Sequence, residues 1–86
     1  MPYISKSERI YFDKFLKQID KIVTKGQLEY CIYFLMLKYM KTRDERFTEL
    51  HDAVYAAYHC GHEFQRHRLD KREDKAKEEN GDVIVE

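Results

Sequence analysis

The run of apolar residues near the middle of the chain constrains the fold most. Residues 28–40 read LEYCIYFLMLKYM, and no position from Tyr30 to Leu37 is charged. A helix that is apolar on every side is either buried all round or spans a membrane. Spanning takes about 20 apolar residues, and this run is bounded by Glu29 and Lys38. It therefore predicts a buried central helix, and because a chain of 86 residues can hardly surround such a helix, it also indicates self-association.

Two amphipathic segments flank the central run. Apolar residues recur at three-and-four spacing in each, which is typical of a helix with one buried face. The stripes are Tyr11, Phe12, Phe15, Leu16, Ile19, Ile22 and Val23 in the first, and Phe47, Leu50, Val54, Ala57, Tyr58, Gly61 and Phe64 in the second. We therefore predict a single all-α domain, a compact three-helix protomer with a long C-terminal helix, which assembles into a homo-oligomer. The predicted helices cover about residues 5–24, 26–41 and 48–79, followed by a tail over 80–86.

Capping signals set the predicted helix starts. Ser5 with Glu8 fits a capping box, with Ser7 as a rival cap. Thr24 with Gln27 has the same spacing, and Thr48 is predicted to cap the third helix. The short connection at Thr24 makes the first two helices antiparallel neighbours or sets them at a sharp corner. The β-branched tail, residues 83–85, could form an edge strand or pack on another subunit.

Charge is balanced overall but uneven along the chain. Sixteen Lys and Arg residues match sixteen Asp and Glu residues, which argues against a protein that binds DNA or RNA polymers through bulk charge. Residues 1–43 hold nine basic against four acidic side chains, and residues 44–86 hold seven against twelve. A local basic site in the first half therefore remains possible.

The two cysteines, Cys31 and Cys60, are too few for a disulfide scaffold and favour reduced thiols in a reducing compartment. The sequence shows neither a secretory leader nor a run long enough to span a bilayer. We therefore expect a soluble intracellular protein without a membrane partner.

The junction Lys25-Gly26 is the best candidate ligand site. The first turn of a helix offers unpaired N–H groups and a positive dipole end, which suit a phosphate. Gly26 lets the backbone approach a ligand closely, and Lys25 adds a charge. Rings for base stacking could come from Tyr11 and Tyr3, and planar donors from Arg66 and Arg68. The competing interpretation is an ordinary loop beside core tyrosines.

A second cluster, His59, Cys60, His62 and Glu63, has spacing that could bring two or three metal ligands together. It lacks the paired Cys and His framework of structural zinc sites, so surface or interface histidines are the preferred interpretation, and no metal or cofactor is predicted. No nucleophile constellation stands out either. Binding is favoured over catalysis.

Several stretches together resemble one family of small phage proteins. They are the opening Met-Pro-Tyr-Ile, the segment Thr24–Tyr30, the motif Glu63-Phe64-x-Arg66 and the ending from Glu73 to Val83 with Glu-Asn-Gly-Asp-Val. The family is the second class of phage anti-CBASS proteins, which are cyclic-oligonucleotide sponges, and the chain looks like a member from a T-even type of phage. The resemblance covers nearly the whole length.

The resemblance implies a compact helical hexamer that binds cyclic di- and trinucleotides, such as 3′,3′-cyclic GMP–AMP (cGAMP), between subunits. Such a protein holds the immune messenger without cleaving it, in the cytoplasm of the infected bacterial host. By similarity, Tyr11 and Lys25 would contact the cyclic dinucleotide, with Gly26 at the helix start. Arg66 would meet phosphate, and Tyr3 and Arg68 are secondary candidates.

Two alternatives belong to other functional classes. The long charged third helix and the apolar tail suit a helical interaction protein that binds and inhibits a host protein. An enzyme that degrades the nucleotide is the third possibility.

Overall fold

Residues 2–81, the part of the chain that the computed structural model describes, contain helices joined by short linkers and no strands. Its elements are α1 (Lys6–Leu16), α2 (Lys25–Met40), α3 (Phe47–Phe64), a π-helical turn (Gln65–Leu69) and α4 (Asp70–Asn80). The last three run on as one helix of 34 residues. The predicted all-α class, with three helices and a long C-terminal one, is confirmed. Met1 and residues 82–86 lie outside the described residues. The β-branched part of the tail, for which an edge strand or packing on another subunit was considered, falls in this segment.

Side-chain caps start the first two helices as predicted. The Ser5 hydroxyl accepts from the backbone N–H of Glu8, which identifies Ser5 rather than Ser7 as the cap. Thr24 and Gln27 form a complete capping box. The predicted cap of the third helix is wrong, because the N-cap is Arg46, two residues before Thr48, and it makes no side-chain capping hydrogen bond.

The first helix is shorter than the predicted span of 5–24. It ends at Leu16, after which the N–H groups of Gln18 and Ile19 bond to carbonyls three residues back, tightening the last turn. The following residues, 19–24, include four that are β-branched, a side-chain type that favours extended backbone over helix. The segment instead runs to α2, where the backbone N–H of Val23 donates to the Gln27 side chain at 2.7 Å.

The three helices do not enclose a core within one protomer. Among the described residues only Ala53 is buried, and α1 packs against no other helix. Within one protomer α3 packs on one side of α2, residues 19–22 lie beside its first turns, and its other faces are exposed. The predicted burial of α2 would therefore require other copies of the chain. The radius of gyration is 17.2 Å, whereas a compact domain of this length would have about 12 Å. The protomer is open rather than compact.

An apolar groove of about 580 Å³ runs between α2 and α3. On α3 its lining is mostly small, and on α2 it is mostly aliphatic. The groove is lined by Leu28, Ile32, Leu35, Met36, Tyr39, Ala53, Ala56, Ala57, Cys60, Gly61 and Phe64. No helix within residues 2–81 combines the length and the apolar character needed to cross a membrane.

Candidate functional site

The predicted phosphate site sits at the start of α2. Lys25 is its first residue, and its ammonium makes no hydrogen bond or ion pair with the described part of the chain. The Thr24 hydroxyl accepts a hydrogen bond from the backbone N–H of Gln27 at 3.1 Å, and the Gln27 side chain accepts one from the backbone N–H of Thr24 at 3.1 Å. The capping box thus fixes the turn and leaves Lys25 available to a ligand.

A shallow cavity of about 450 Å³ lies beside this turn. Gly26 lines it, and a Cβ built on Gly26 would meet only the Thr24 hydroxyl, at 4.0 Å. The protomer therefore has room for a side chain at Gly26 and does not itself require glycine there. The cavity is lined by Ile19, Lys21, Ile22, Gly26, Gln27, Tyr30 and Cys31.

Lys21 in this lining was missed as a site residue. In the predicted first helix over residues 5–24, Lys21 would lie on the polar face, away from α2. Because α1 ends at Leu16, Lys21 instead lies on the linker that crosses the start of α2. The one sequence signal for this position of Lys21 is the group of β-branched residues in 19–24, which disfavours a helix there.

Tyr11 lies apart from the Lys25 turn in the protomer. It is on α1 and 61% exposed, with its ring edge-on to Phe12 and Phe15 at centroid distances of 5.0 and 5.1 Å. Tyr11 is not among the residues that line the cavity beside Gly26. A single protomer therefore does not bring Tyr11 and Lys25 together into one site.

Arg66 belongs to a separate polar cluster, which joins the N-terminal arm to the long helix. The Tyr3 hydroxyl donates to Glu63 Oε2 at 2.6 Å, and Arg66 Nη2 donates to the same oxygen at 3.2 Å. His67 Nε2 lies 3.3 Å from that oxygen and 3.3 Å from the Tyr3 hydroxyl. The Glu63 side chain is only 17% exposed, while that of Arg66 is 64% exposed.

The cluster shifts the protonation of its members. The hydrogen bonds from Tyr3 and then Arg66 lower the pKa of Glu63 to about 2. The same Glu63 contact raises the pKa of Tyr3 above its ordinary value, chiefly because the phenol is held as a donor. Glu63 also raises the pKa of Arg66. At neutral pH the cluster therefore holds a carboxylate, a neutral phenol and a guanidinium.

The histidines around Glu63 form no metal centre in residues 2–81, where no group of three or more His, Cys, Asp or Glu side chains converges. Glu63 turns to Tyr3 and Arg66, and the His59 ring lies 6.1 Å from that of Tyr55. Arg68 makes no hydrogen bond or ion pair among the described residues.

A ladder of rings along α3 was not predicted as a unit. His51 lies at centroid distances of 5.4 Å from Phe47 and 4.2 Å from Tyr55, and Tyr58 continues the series at 5.7 Å. At about 100° per residue these positions lie roughly opposite Ala53 and the groove. The long helix therefore has two faces able to make contacts.

Comparison with known proteins gives one match. The profile of the DUF6899 family, described as a domain of unknown function, matches residues 1–83. Searches of curated proteins and of solved structures found no significant match.

Proposed function

The chain belongs to the DUF6899 family, and we propose that it is a non-enzymatic phage protein that sequesters cyclic di- and trinucleotides such as 3′,3′-cGAMP. Holding the messenger intact keeps it from the effectors of CBASS immunity in the cytoplasm of the bacterial host. The resemblance of its sequence motifs to the anti-CBASS sponges supports this assignment. The protein needs no cofactor for that task.

One observation carries the proposal: the aromatic and cationic groups suited to the ligand are exposed but separated within a protomer whose apolar surfaces are uncovered. Phe12 and Phe15 on α1 are 48% and 50% exposed, and Ile32 and Leu35 in the groove are 40% and 52% exposed. Exposed apolar surface on this scale marks an interaction site. Association of copies would cover these faces and could bring Tyr11 of one copy to Lys25 of another.

We propose a homo-oligomer on this basis, with six copies as the family resemblance implies. Each subunit would supply α1 and its aromatic cluster to a neighbour. The nucleotide would then bind between subunits rather than in a cavity of one chain.

Recognition would combine stacking and charge. A base stacking on Tyr11 gains about 1–3 kcal/mol in comparable aromatic contacts. Lys25 supplies a point charge to the cyclic phosphodiester at the start of α2, where the dipole also favours an anion. Gly26 keeps that approach open, and Arg66 offers planar donors to phosphate. Arg68 adds a nearby charge.

Inhibition follows from mass action. The effector stays inactive when the protein is in excess over the messenger and binds it more tightly than the effector does. No bond in the ligand is broken, so the nucleotide is recoverable.

Isothermal titration calorimetry with 3′,3′-cGAMP tests the proposal. We expect tight binding that Tyr11→Ala and Lys25→Ala each weaken by at least tenfold, while Lys71→Ala on the exposed face of α4 leaves it unchanged. Heating the complex should release intact cGAMP, as measured by chromatography. Absence of binding to any cyclic oligonucleotide would overturn the proposal, and a cleaved product would show an enzyme instead.

A second candidate function is supported by the apolar groove between α2 and α3. Its lining could receive an apolar helix of a host protein, whose activity would then be inhibited. Pull-down from host lysate separates the two functions. This candidate would be favoured if the wild-type chain captures a host protein in stoichiometric amount and the groove variant Ala56→Glu no longer binds it.

A further inference from the structure

The Glu63 carboxylate is held from several sides through one oxygen. Tyr3 and Arg66 both donate to Oε2, and His67 Nε2 lies at 3.3 Å. Tyr3 is 60 residues away in the chain, so its bond is a tertiary contact. The Tyr3 hydroxyl has a single hydrogen, which the 2.6 Å bond commits to Glu63.

Arg66 is only partly committed to this cluster. Among the described residues Glu63 and His67 contact Nη2, while Nε and Nη1 make no hydrogen bond. The side chain is 64% exposed. A guanidinium with free donors and solvent access can turn toward an anion, provided that Glu63 tolerates its departure.

We propose that Tyr3 is a positioning residue for Arg66: its hydroxyl keeps the Glu63 carboxylate satisfied, so that Arg66 can leave Glu63 for a phosphate group. This inference rests on the proposed role of Arg66 as a phosphate contact. It assigns to Glu63 the opposite effect, that of a competitor which holds Arg66 back from the ligand.

The physical reason is the cost of leaving a carboxylate unpaired. Glu63 is mostly covered, and a covered anion without donors is strongly unfavourable. When Arg66 leaves, the Tyr3 hydroxyl still donates to Oε2, and the bond strengthens because no cation competes for that oxygen. Without the hydroxyl, Arg66 would be the main donor to Glu63 and would be harder to remove.

This role differs from direct stacking of Tyr3 on the ligand, which the sequence also allows. A stacking ring acts whether or not Glu63 carries a charge. A positioning hydroxyl acts only through Glu63, so its effect disappears when the carboxylate is removed. A double-mutant cycle separates the two roles.

The variants are Tyr3→Phe, Glu63→Gln and the double substitution in the full-length protein. Tyr3→Phe keeps the ring and removes only the hydroxyl. The first probe is inorganic pyrophosphate, whose binding is monitored through the NMR signal of the Arg66 Nε–H group. The second probe is a pair of cyclic nucleotides, 3′,3′-cGAMP and cyclic triadenylate, whose binding is measured by calorimetry. Circular dichroism verifies that each variant is folded.

We expect Tyr3→Phe to weaken pyrophosphate binding and Glu63→Gln to strengthen it, each by roughly two- to fivefold, the range for exposed ion pairs. The double variant should bind as tightly as Glu63→Gln alone. At least one cyclic nucleotide should follow the same order.

Equal losses from Tyr3→Phe in both backgrounds would overturn the inference, and so would a Glu63→Gln variant that binds pyrophosphate no better than wild type. Failure of every variant to bind pyrophosphate through Arg66 would overturn it as well. If pyrophosphate behaves as expected while no cyclic nucleotide binds, the positioning role stands and the proposed function falls.

Discussion

The guanidinium of Arg43 stacks on the ring of Tyr39, with Cζ 3.7 Å from the ring centroid. The same side chain donates to the Tyr39 carbonyl at the end of α2, and its Nε lies 3.5 Å from Glu49 Oε2 on α3. One arginine therefore ties the last turn of α2 to the first turns of α3. In a protomer with almost no core, this polar contact is one of the links between the two helices.

Replacing Arg43 should loosen that corner. Arg43→Ala should lower the free energy of unfolding by about 1 kcal/mol, since it removes a cation–π contact and the hydrogen bond that Arg43 donates to the Tyr39 carbonyl. Arg43→Lys should recover only part of the loss, because an ammonium lacks the planar fork. Urea unfolding at one fixed protein concentration measures both. Equal stability of the Lys and wild-type proteins would show that charge alone matters.

The capping box at the start of α2 predicts a second stability effect. Thr24→Ala should cost about 1 kcal/mol, because the N–H of Gln27 loses its acceptor. Thr24→Ser keeps the hydroxyl and should cost little. Thermal unfolding followed by circular dichroism distinguishes the pair, and Thr48→Ala is the control, since Thr48 lies inside α3 and provides no cap.

Substitution of Gly26 separates folding from binding. Gly26→Ala should raise helix stability by up to about 1 kcal/mol, since alanine is the better helix former and the site has space for a methyl group. The same methyl group should weaken cGAMP binding if the ligand approaches the backbone there. Unfolding and calorimetry on one preparation give both values. A stabilised variant with unchanged affinity would remove Gly26 from the site.

Acid should weaken the tie between the N-terminal arm and the long helix. The pKa of Glu63 is about 2 in the folded chain, below its ordinary value of 4.5. A lowered folded-state pKa stabilises the fold fully above the unfolded value, and that stabilisation is lost as the pH falls from about 4.5 toward 2. Unfolding between pH 6 and pH 2 should therefore show a loss that Glu63→Gln reduces. Identical pH profiles for the two proteins would contradict the Tyr3–Glu63 contact.

Self-association should make stability depend on concentration. If the exposed faces are covered by other copies, the unfolding midpoint rises with protein concentration. Ala56 lines the groove and is exposed in the protomer, so Ala56→Glu should leave a single chain intact but reduce the mass measured by sedimentation. Lys71→Glu on α4 is the matched control. A wild-type monomer at micromolar concentration would contradict the assembly.

Local signals predicted most of the fold. Ser5 and Thr24 set two helix starts correctly because capping depends on residues three apart in sequence. The continuous apolar run and the Thr24 cap placed α2 to within one residue at each end. The end of α1 was missed because apolar periodicity continues through Ile19 and Ile22, while β-branching and the bond from Val23 to Gln27 favour an extended path.

The candidate site was less predictable, for a physical reason. Tyr3 and Glu63 meet across 60 residues, and no local pattern reports a contact of that range. The composition of α2 predicts that the helix is buried. It does not say whether the covering residues belong to the same chain or to another copy. Whether Tyr11 and Lys25 meet depends on that larger environment too.

The π-helical turn between α3 and α4 changes the rotational phase of the long helix. In an unbroken α-helix Leu69 would stand about 140° around the axis from Phe64. A π-helical turn absorbs about one extra residue, which reduces that angle to about 40°. Leu69 therefore lies close to the apolar stripe that ends at Phe64, whereas in a regular α-helix Leu69 would lie on the opposite side of the axis. Deleting one residue within Gln65–Leu69 should therefore preserve this alignment, whereas inserting one should destroy it.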